Sequence, residues 1–390
     1  MLQLGTDPAS DLLRLSGPYA SQRVVVATSI RHIGKLVWNA CFQDEIEDYD
    51  YLVAVETSGM EGFTWRYLAL FEDGRAVAAI PLFLTEYQLE TTMDSQRLRG
   101  IVQRIRRHLP SFLALKLACL GSPCTETCVP GFHPDVPSAR KPELLAALLV
   151  GFERFAGMQG CSLRGVKDFP NTLGEELRRV LDDKGFAAIP GMPTAWLDVD
   201  FSSIDDYLGR LSAGTRKDMR RKLKSSQYIR IEARTDLTDL LPRVLCLYQG
   251  TRNRSDWKFE ALTAGYFAGV LENMPGRSLC FCYYVGETLL AANLLVRRDG
   301  ALIDKFFCMD AQGRRYNLYY LSWFNNLSYC IEQGIKRYQS GQSSYDSKLR
   351  LGSKLTANTM FFKHRNPVVQ RLLRLVAPLM SIDEVPGQLS

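Results

Sequence analysis

The sequence lacks any apolar segment long enough to cross a lipid bilayer. Its longest apolar runs, such as residues 112–120, are interrupted by charges such as Lys116, whereas a spanning helix needs about 20 consecutive apolar residues. The beginning of the chain also lacks a basic stretch followed by an apolar one, so no secretory signal is predicted. Both absences favour a cytoplasmic protein over a membrane-spanning or secreted one.

Compact metal-ligand patterns are missing as well. The chain has four histidines and ten cysteines, and no histidine closely flanks the two cysteine pairs, Cys124 with Cys128 and Cys280 with Cys282. Because a structural zinc site uses four ligands at compact spacings, we expect these thiols to be structural and no metal to be bound. Scattered cysteines without a spacing framework also favour reduced thiols in the cytoplasm.

Chain length bears on the number of domains, and net charge bears on the kind of partner. A chain of 390 residues exceeds one ordinary hydrophobic core and suits two domains of typical size. Its 46% hydrophobic and 23% charged residues are typical of a soluble globular protein. The formal net charge of +6 permits an anionic partner without requiring one, because nucleic-acid-binding proteins usually carry a denser basic stripe.

Two hairpins of the same design occur in the two halves of the chain. Apolar residues alternate on both sides of Gly74 and again on both sides of Gly286, which predicts a pair of antiparallel strands around each turn. The predicted strand pairs are 66–71 with 75–84, and 278–285 with 288–297. Because matching elements surround both hairpins, the sequence suggests two copies of one α/β unit.

Hydrophobic periodicity predicts the remaining elements. Helices are predicted over residues 30–42, 98–109, 141–156, 173–184, 204–211, 216–225, 237–252, 263–273 and 318–333. Strands are predicted over residues 24–28, 115–120, 162–166, 194–199, 228–233, 301–309, 335–339 and 358–363. Elements mixed in this order indicate α/β units with a largely antiparallel sheet, and not a doubly wound nucleotide-binding fold.

The segment 305–341 is the most informative stretch for function. It reads as a strand, a turn containing Gly313, Arg314 and Arg315, a helix that follows Asn317, and a second strand. A turn that brings arginines to a helix N-terminus is suited to phosphate, because free backbone N–H groups and the helix dipole both favour an anion there. The alternative interpretation is a solvated basic turn.

Four stretches carry a family resemblance: residues 211–222, 316–338 and 341–364, together with 52–59 followed by Trp65. They resemble the N-acetyltransferase (GNAT) superfamily, and within it the tandem-domain branch of the Fem-type peptidyltransferases and the "peptidoglycan biosynthesis/recognition" acyltransferases. The likeness covers most of residues 24–366. It implies an α/β (α+β) fold of two tandem GNAT-like domains with mixed, mostly antiparallel sheets. The implied division is an extension (1–22), a first domain (23–192), a donor-binding second domain (193–366) and an amphipathic tail (367–390).

The resemblance also implies where an acyl donor is held. By position, the carrier loop is formed by Gln312, Gly313, Arg314, Arg315 and Asn317, with the two arginines as the phosphate partners. Acyl-CoA or acyl carrier protein is then a co-substrate, and no cofactor is bound permanently. The substrate-binding candidates are Trp65, Arg216, Arg220, Gln342 and Arg350. The basic segment 216–224 can bind phosphate on a carrier, a lipid headgroup or tRNA.

The catalytic candidates come from what acyl transfer to an amine requires, which is removal of a proton and release of the leaving group. The candidates for the general base are Glu56, His133 and Asp346. Tyr320, and with it Tyr319 and Tyr345, are candidates for protonating the leaving thiolate. Lys348 is expected to contact substrate. The sequence departs from the family where its helix begins Tyr316-Asn317, since it lacks the His and Glu often found there. Gln339 stands where Fem-type enzymes often have an aspartate, and an amide cannot act as a base.

Two basic amphipathic stretches, 96–109 and 368–380, bear on the acceptor. Each can pack on a core with a solvated back, or lie on an anionic membrane. The sequence thus favours an N-acyltransferase whose acceptor is an amine on a lipid or envelope precursor, such as a sphingoid-type base, met at the inner membrane surface. One alternative is an aminoacyl-tRNA-dependent peptidyltransferase of Fem type, which would bind tRNA. The other is a non-catalytic binding module with a GNAT-like fold.

Overall fold

The fold is taken from a computed structural model, which describes residues 12–16, 22–88, 114–255 and 259–377. The helices are α1 (Lys35–Cys41), α2 (Tyr49–Glu56), α3 (Lys141–Met158), α4 (Glu175–Asp183), α5 (Ile204–Arg210), α6 (Ala213–Leu223), α7 (Leu241–Asn253), α8 (Ala264–Asn273), α9 (Leu318–Glu332), α10 (Tyr345–Arg350) and α11 (Pro367–Val376). The predicted helix 98–109 and the basic stretch around it lie outside the described residues.

The strands are β1 (Leu12–Ser16), β2 (Gln22–Ala27), β3 (Thr64–Glu72), β4 (Arg75–Gln88), β5 (Ala114–Leu120), β6 (Gly131–Phe132), β7 (Leu163–Pro170), β8 (Ala187–Asp198), β9 (Arg230–Arg234), β10 (Ser278–Val285), β11 (Thr288–Arg298), β12 (Ala301–Met309), β13 (Arg337–Gly341) and β14 (Lys354–His364). Both predicted hairpins are confirmed. They are β3–β4, in which Glu72 pairs with Arg75, and β10–β11, in which Val285 pairs with Thr288.

The described residues fall into two compact units. Unit 1 contains residues up to Gln43, from Glu61 to Gly191 and from Asn358 onward, and unit 2 contains Asp44–Met60 and Met192–Ala357. This division differs from the predicted domains in two segments, because residues 44–60 belong to unit 2 and residues 358–377 to unit 1. A domain defined by packing need not be continuous in the chain, and local sequence signals cannot show such an exchange.

Both units repeat one order of elements around a mixed sheet. In unit 1 the strand order is β1-β2-β3-β4-β5-β7-β14, with β6 beside β4, and β5–β7 is a parallel pair among antiparallel ones. In unit 2 the order is β8-β13-β12-β11-β10-β9, and β12–β13 is parallel while its neighbours are antiparallel. The predicted fold of two tandem α/β domains with mostly antiparallel sheets is therefore confirmed.

One helix of unit 2 was not among the predicted elements. The apolar run 52–55 lies in helix α2, which ends at Glu56. The helix begins at an Asp48 cap, whose carboxylate accepts a hydrogen bond from the backbone N–H of Tyr51 at 3.0 Å. Its five consecutive residues from Tyr51 to Val55 are all buried, so no helical period was visible. Helix α10 was also not predicted.

The core of unit 1 depends on a close approach between α3 and β2. A Cβ added at Gly151 of α3 would lie 2.5 Å from Cγ1 of Val24 in β2. Gly157 lies in the same helix, but its Cβ would meet nothing closer than 3.8 Å. Helix and sheet therefore pack in contact only because position 151 carries no side chain.

Gly151→Ala is expected to lower the free energy of unfolding by about 1–3 kcal/mol, because the helix must move away from Val24. Gly157→Ala is the matched control, and it should be neutral or stabilise by up to about 1 kcal/mol, since alanine is the better helix former. Urea unfolding measures both variants. Equal behaviour of the two substitutions would contradict the proposed close contact.

Candidate functional site

The two parallel strands of unit 2 separate after a short paired stretch. Strands β12 and β13 pair only at Ala301 with Arg337, Leu302 with Tyr338 and Ile303 with Gln339. Beyond that point β12 continues beside β11 to Met309, while β13 continues beside β8. The sheet therefore opens at Asp304, the first residue of β12 without a partner in β13.

Asp304 lies at an irregularity of the strand. Leu295 pairs with Asp304 and Leu294 with Phe306, so Lys305 is an extra residue in β12. This is the count of a β-bulge, a device that redirects side chains near functional sites. The sequence signal for Asp304 was an acidic residue next to Lys305 in a mostly apolar strand, and Asp304 was not among the predicted catalytic residues.

Three donors converge on one oxygen of the Asp304 carboxylate. The Tyr338 hydroxyl donates to Oδ2 at 2.8 Å, and the Nδ2 groups of Asn326 and Asn293 each lie 3.4 Å from it. Tyr338 and both asparagines are buried. A carboxylate that accepts several hydrogen bonds from neutral donors is held as an acceptor in a fixed orientation. Asp304 is thus a carboxylate positioned at the place where the sheet opens.

Tyr319, in the first turn of α9, lies close to the same carboxylate. Its hydroxyl is buried and has no hydrogen-bond partner among the described residues. Burial raises the pKa of Tyr319, and the negative charge of Asp304 raises it further. The phenol therefore stays protonated at neutral pH and retains a proton to donate.

The basic turn predicted from the sequence lies directly before α9. Residues Ala311–Tyr316 form a 3₁₀ helix, and Asp310 caps it by accepting a hydrogen bond from the backbone N–H of Gln312 at 3.0 Å. Asn317 follows with a left-handed φ of 56°, which asparagine tolerates better than most residues. Arg314 and Arg315 are exposed to solvent, and neither forms an ion pair with another described residue. They stay predicted phosphate ligands.

The basic helix α6 packs beside this turn. Its Lys222 ammonium lies 3.5 Å from the centre of the Tyr320 ring, and Ser225, just beyond the helix, accepts a hydrogen bond from Nδ2 of Asn317 at 3.0 Å. An open depression of about 490 Å³ runs along the helix; it is lined by Gly214, Lys217, Asp218, Arg220, Arg221 and Lys224. Turn, helix and depression therefore form one basic surface in unit 2.

Asp218 forms ion pairs with three cationic side chains of this surface. Its carboxylate pairs with Arg221 at 2.7 Å, Lys222 at 3.0 Å and Arg350 at 3.5 Å. Hydrogen bonds from Arg221 and Lys222 lower the pKa of Asp218 to about 2. The pairing links Arg350, a predicted substrate residue, to the basic helix.

The depressed pKa gives a pH prediction with a definite sign. A lowered folded-state pKa contributes stability above the ordinary Asp value, and that contribution is lost as pH falls toward 2. Wild type should therefore be more stable than Asp218→Asn at pH 7, and the difference should shrink between pH 5 and pH 2. Thermal unfolding across this range measures it, with Asp346→Asn, an exposed aspartate, as the control. A difference that is constant with pH would contradict the argument.

Four other predicted site residues also belong to unit 2. Lys348 is buried and donates to the Gly341 carbonyl at 2.9 Å, while Gln342 donates to the Met192 carbonyl at 2.8 Å. Both hold the chain around β13. Asp346 is exposed, and Arg216 donates to the Gly209 carbonyl at 3.0 Å.

Three further candidates belong to other elements of the fold. Trp65 and His133 belong to unit 1, where Trp65 stacks on Phe63 and His133 hydrogen-bonds Arg75 at 2.8 Å. Glu56 belongs to unit 2 and is the last residue of helix α2. The residues brought together around the turn are Gln312 to Asn317, Tyr320, Arg220 and Arg350.

In residues 12–16, 22–88, 114–255 and 259–377 no group of three or more His, Cys, Asp or Glu side chains is arranged to hold a metal ion. Over the same ranges no helix combines the length and the apolar character needed to span a membrane.

Solved structures with the same fold support the tandem architecture. FemX superposes with a TM-score of 0.57 at 14% identity, covering 84% of this chain and 94% of that one. The C-terminal domain of a provisionally named lysylphosphatidylglycerol synthetase from Agrobacterium fabrum gives 0.54 at 12% identity, covering 92% and 98%. A tandem GNAT protein from the clavulanic acid biosynthesis pathway gives 0.52 at 11% identity, covering 91% and 98%. At these identities the likeness concerns the fold.

Sequence comparison gives relatives and a family. Proteins from two Mycobacterium tuberculosis strains, provisionally named 8-amino-7-oxononanoate synthase 2, are 22% identical over 353 residues. The match covers 88% of this chain, and the chain spans 45% of the length of those relatives. Residues 29–374 match the FemAB-like family, which is described by peptidoglycan biosynthesis/recognition. Since this match covers most of the sequence, the chain belongs to the FemAB-like family.

Proposed function

We propose that the protein transfers an acyl or aminoacyl group from an activated, anionic carrier to an amine. The observation that carries this proposal is the opening between β12 and β13, which has a positioned carboxylate on one strand and a basic turn at the end of the same strand. The FemAB-like family membership and the GNAT fold of the structural neighbours support transferase chemistry.

The turn and the basic helix suit the carrier end of the donor. The start of α9 offers unpaired backbone N–H groups and the positive end of a helix dipole, both of which attract an anion. Arg314 and Arg315 add two exposed guanidinium groups, which bind phosphate in a planar, two-pronged geometry. We therefore propose that a phosphate-bearing carrier binds here, with its acyl group directed toward the opening.

Asp304 suits the chemistry at the other end. In the proposed reaction the amine nitrogen attacks the acyl carbonyl carbon, a C–N bond forms, and the C–S or C–O bond to the carrier breaks. The nitrogen loses a proton to the Asp304 carboxylate, and a tyrosine of the first turn of α9, Tyr319 or Tyr320, supplies the proton to the departing thiolate or alkoxide. In this proposal the general base is Asp304 of β12. Gln339 of the neighbouring strand β13 does not take that role, because an amide cannot act as a base.

A CoA or acyl-carrier donor and a lipid or envelope amine remain the preferred substrates, and the cytoplasm with the inner membrane surface the preferred location. A second donor, aminoacyl-tRNA, is favoured by the stripe of exposed cations on α6. Lys217, Arg220 and Arg221 and the adjacent Lys224 all face solvent along the depression. A polyanion binds such a stripe with a strong dependence on salt.

The experiment incubates the purified chain with labelled acyl-CoA, acyl carrier protein or aminoacyl-tRNA and a panel of amines that includes sphingoid bases. We expect a labelled amide from at least one donor. Sensitivity to ribonuclease selects the tRNA donor, and insensitivity selects the thioester donors. Donor binding without transfer to any amine would identify a binding module instead and overturn the proposed reaction.

A further inference from the structure

Among the described residues, helix α11 contacts the rest of unit 1 through one side. Asn366 caps its first turn by accepting a hydrogen bond from the Val368 N–H at 2.9 Å, and Pro367 occupies its first position. Gln370 donates to the Gly185 carbonyl at 2.8 Å, and Leu373 packs on a small cluster that contains Ile189. At 100° per residue, these two side chains lie on one side of the helix.

The opposite side of α11 is apolar and exposed. Val368, Leu372 and Leu375 are 71%, 61% and 73% exposed. Together with the exposed Val369 and Val376, they occupy an arc of about 120° on the helix circumference. Five large apolar side chains side by side are unusual on a protein surface and indicate an interaction surface.

Two exposed arginines stand beyond one edge of this apolar arc. At 100° per residue Arg371 lies about 40° and Arg374 about 100° past that edge, and neither forms an ion pair within the part of the chain that the structure describes. The whole stretch 347–382 contains no aspartate or glutamate. The exposed side of the helix therefore carries apolar and positive groups and no negative ones.

We propose that α11 docks on the surface of an anionic lipid bilayer, with its apolar arc at the boundary of the acyl chains and its arginines among the headgroups. A helix with this division of faces lies in the membrane interface, held by apolar burial and by attraction to anionic lipids. A second copy of the chain is a poorer occupant, because a two-fold contact would bring the same arginines against each other. The inference extends the proposed location at the inner membrane surface by assigning the surface that docks, and it is separable from acyl transfer, since docking requires no donor.

Co-sedimentation of the full chain with vesicles tests the proposal. We expect binding to vesicles of phosphatidylglycerol and phosphatidylcholine, weaker binding to phosphatidylcholine alone, and a decrease with added salt. Leu372→Gln with Leu375→Gln should weaken binding by at least roughly tenfold, because the buried apolar area is lost. Arg371→Gln with Arg374→Gln should weaken it by about fivefold per arginine, only on anionic vesicles.

Leu36→Gln is the matched control, because Leu36 of α1 is 89% exposed but stands outside the apolar arc. It should bind vesicles like wild type. Thermal unfolding verifies that the α11 variants are folded, and Val368→Gln serves as a milder third variant. Wild-type protein that remains in the supernatant with both vesicles overturns the proposal. So does a wild-type dimer that the leucine substitutions convert to monomer, because a second copy would then cover the arc. Vesicle binding without acyl transfer would refute only the proposed reaction.

Discussion

Asp304→Asn is expected to lower the rate of acyl transfer by at least about a hundredfold, because removal of a general base typically costs that much or more. Asparagine keeps the size of the side chain but cannot accept the proton of the amine. The loss should therefore appear in kcat, while the affinity for the donor changes little, since the donor's phosphate is proposed to bind at the turn after Asp310. Steady-state transfer kinetics and donor titration separate the two quantities.

Two further variants define what the Asp304 result means. Asp346→Asn removes an exposed carboxylate that the sequence also nominated as a base, and it should leave kcat close to wild type. Tyr338→Phe removes the 2.8 Å hydrogen bond to Asp304, so it should lower kcat by a smaller factor through a less fixed carboxylate. If Asp304→Asn folds, binds donor and still turns over at the wild-type rate, Asp304 is not the base.

The outcome at Asp304 also bears on how far sequence can predict such a site. The carboxylate of Asp304 is hydrogen-bonded by Asn293, Asn326 and Tyr338, which belong to three different elements. No local spacing connects these positions, and the opening of the sheet depends on which strand pairs with β13. The turn with Arg314 and Arg315 was predictable, because a helix N-terminus with adjacent cations is a local feature of the chain.

The same distinction applies to the fold. The hairpins at Gly74 and Gly286 were predicted because the turn and the alternation lie within one short segment. Helix α2 was not predicted, since the five residues from Tyr51 to Val55 are all apolar and buried, and their unbroken run hides the helical period. Just after this helix, a Cβ at Gly265 of α8 would come within 2.6 Å of the Ser58 carbonyl oxygen. Contacts as close as this one are set by tertiary packing and leave little trace in the local sequence.

Replacing both Arg314 and Arg315 by glutamine should weaken donor binding by about ten- to a hundredfold, because two charge-assisted contacts to phosphate are lost. Both side chains are exposed, and neither has an ion-pair partner among the described residues, so the fold should not depend on them. The effect should appear as a raised KM for the donor with a nearly unchanged kcat. Titration with free CoA or with the uncharged tRNA measures the same loss without the reaction.

The matched control for the turn is Arg178→Gln with Arg179→Gln, which removes an adjacent pair of positive charges from α4 in unit 1. It lowers the net charge of the protein by the same amount, so it accounts for any general loss of attraction toward an anion. A donor affinity that falls equally in both double variants would show that only overall charge matters. An affinity that falls only at the turn would place the phosphate at the start of α9, whereas an unchanged affinity there would remove the turn from the donor site. The positioned carboxylate at Asp304 would then need a different carrier surface, and the stripe on α6 is the candidate, because Ser225, just beyond that helix, is hydrogen-bonded to Asn317 before α9.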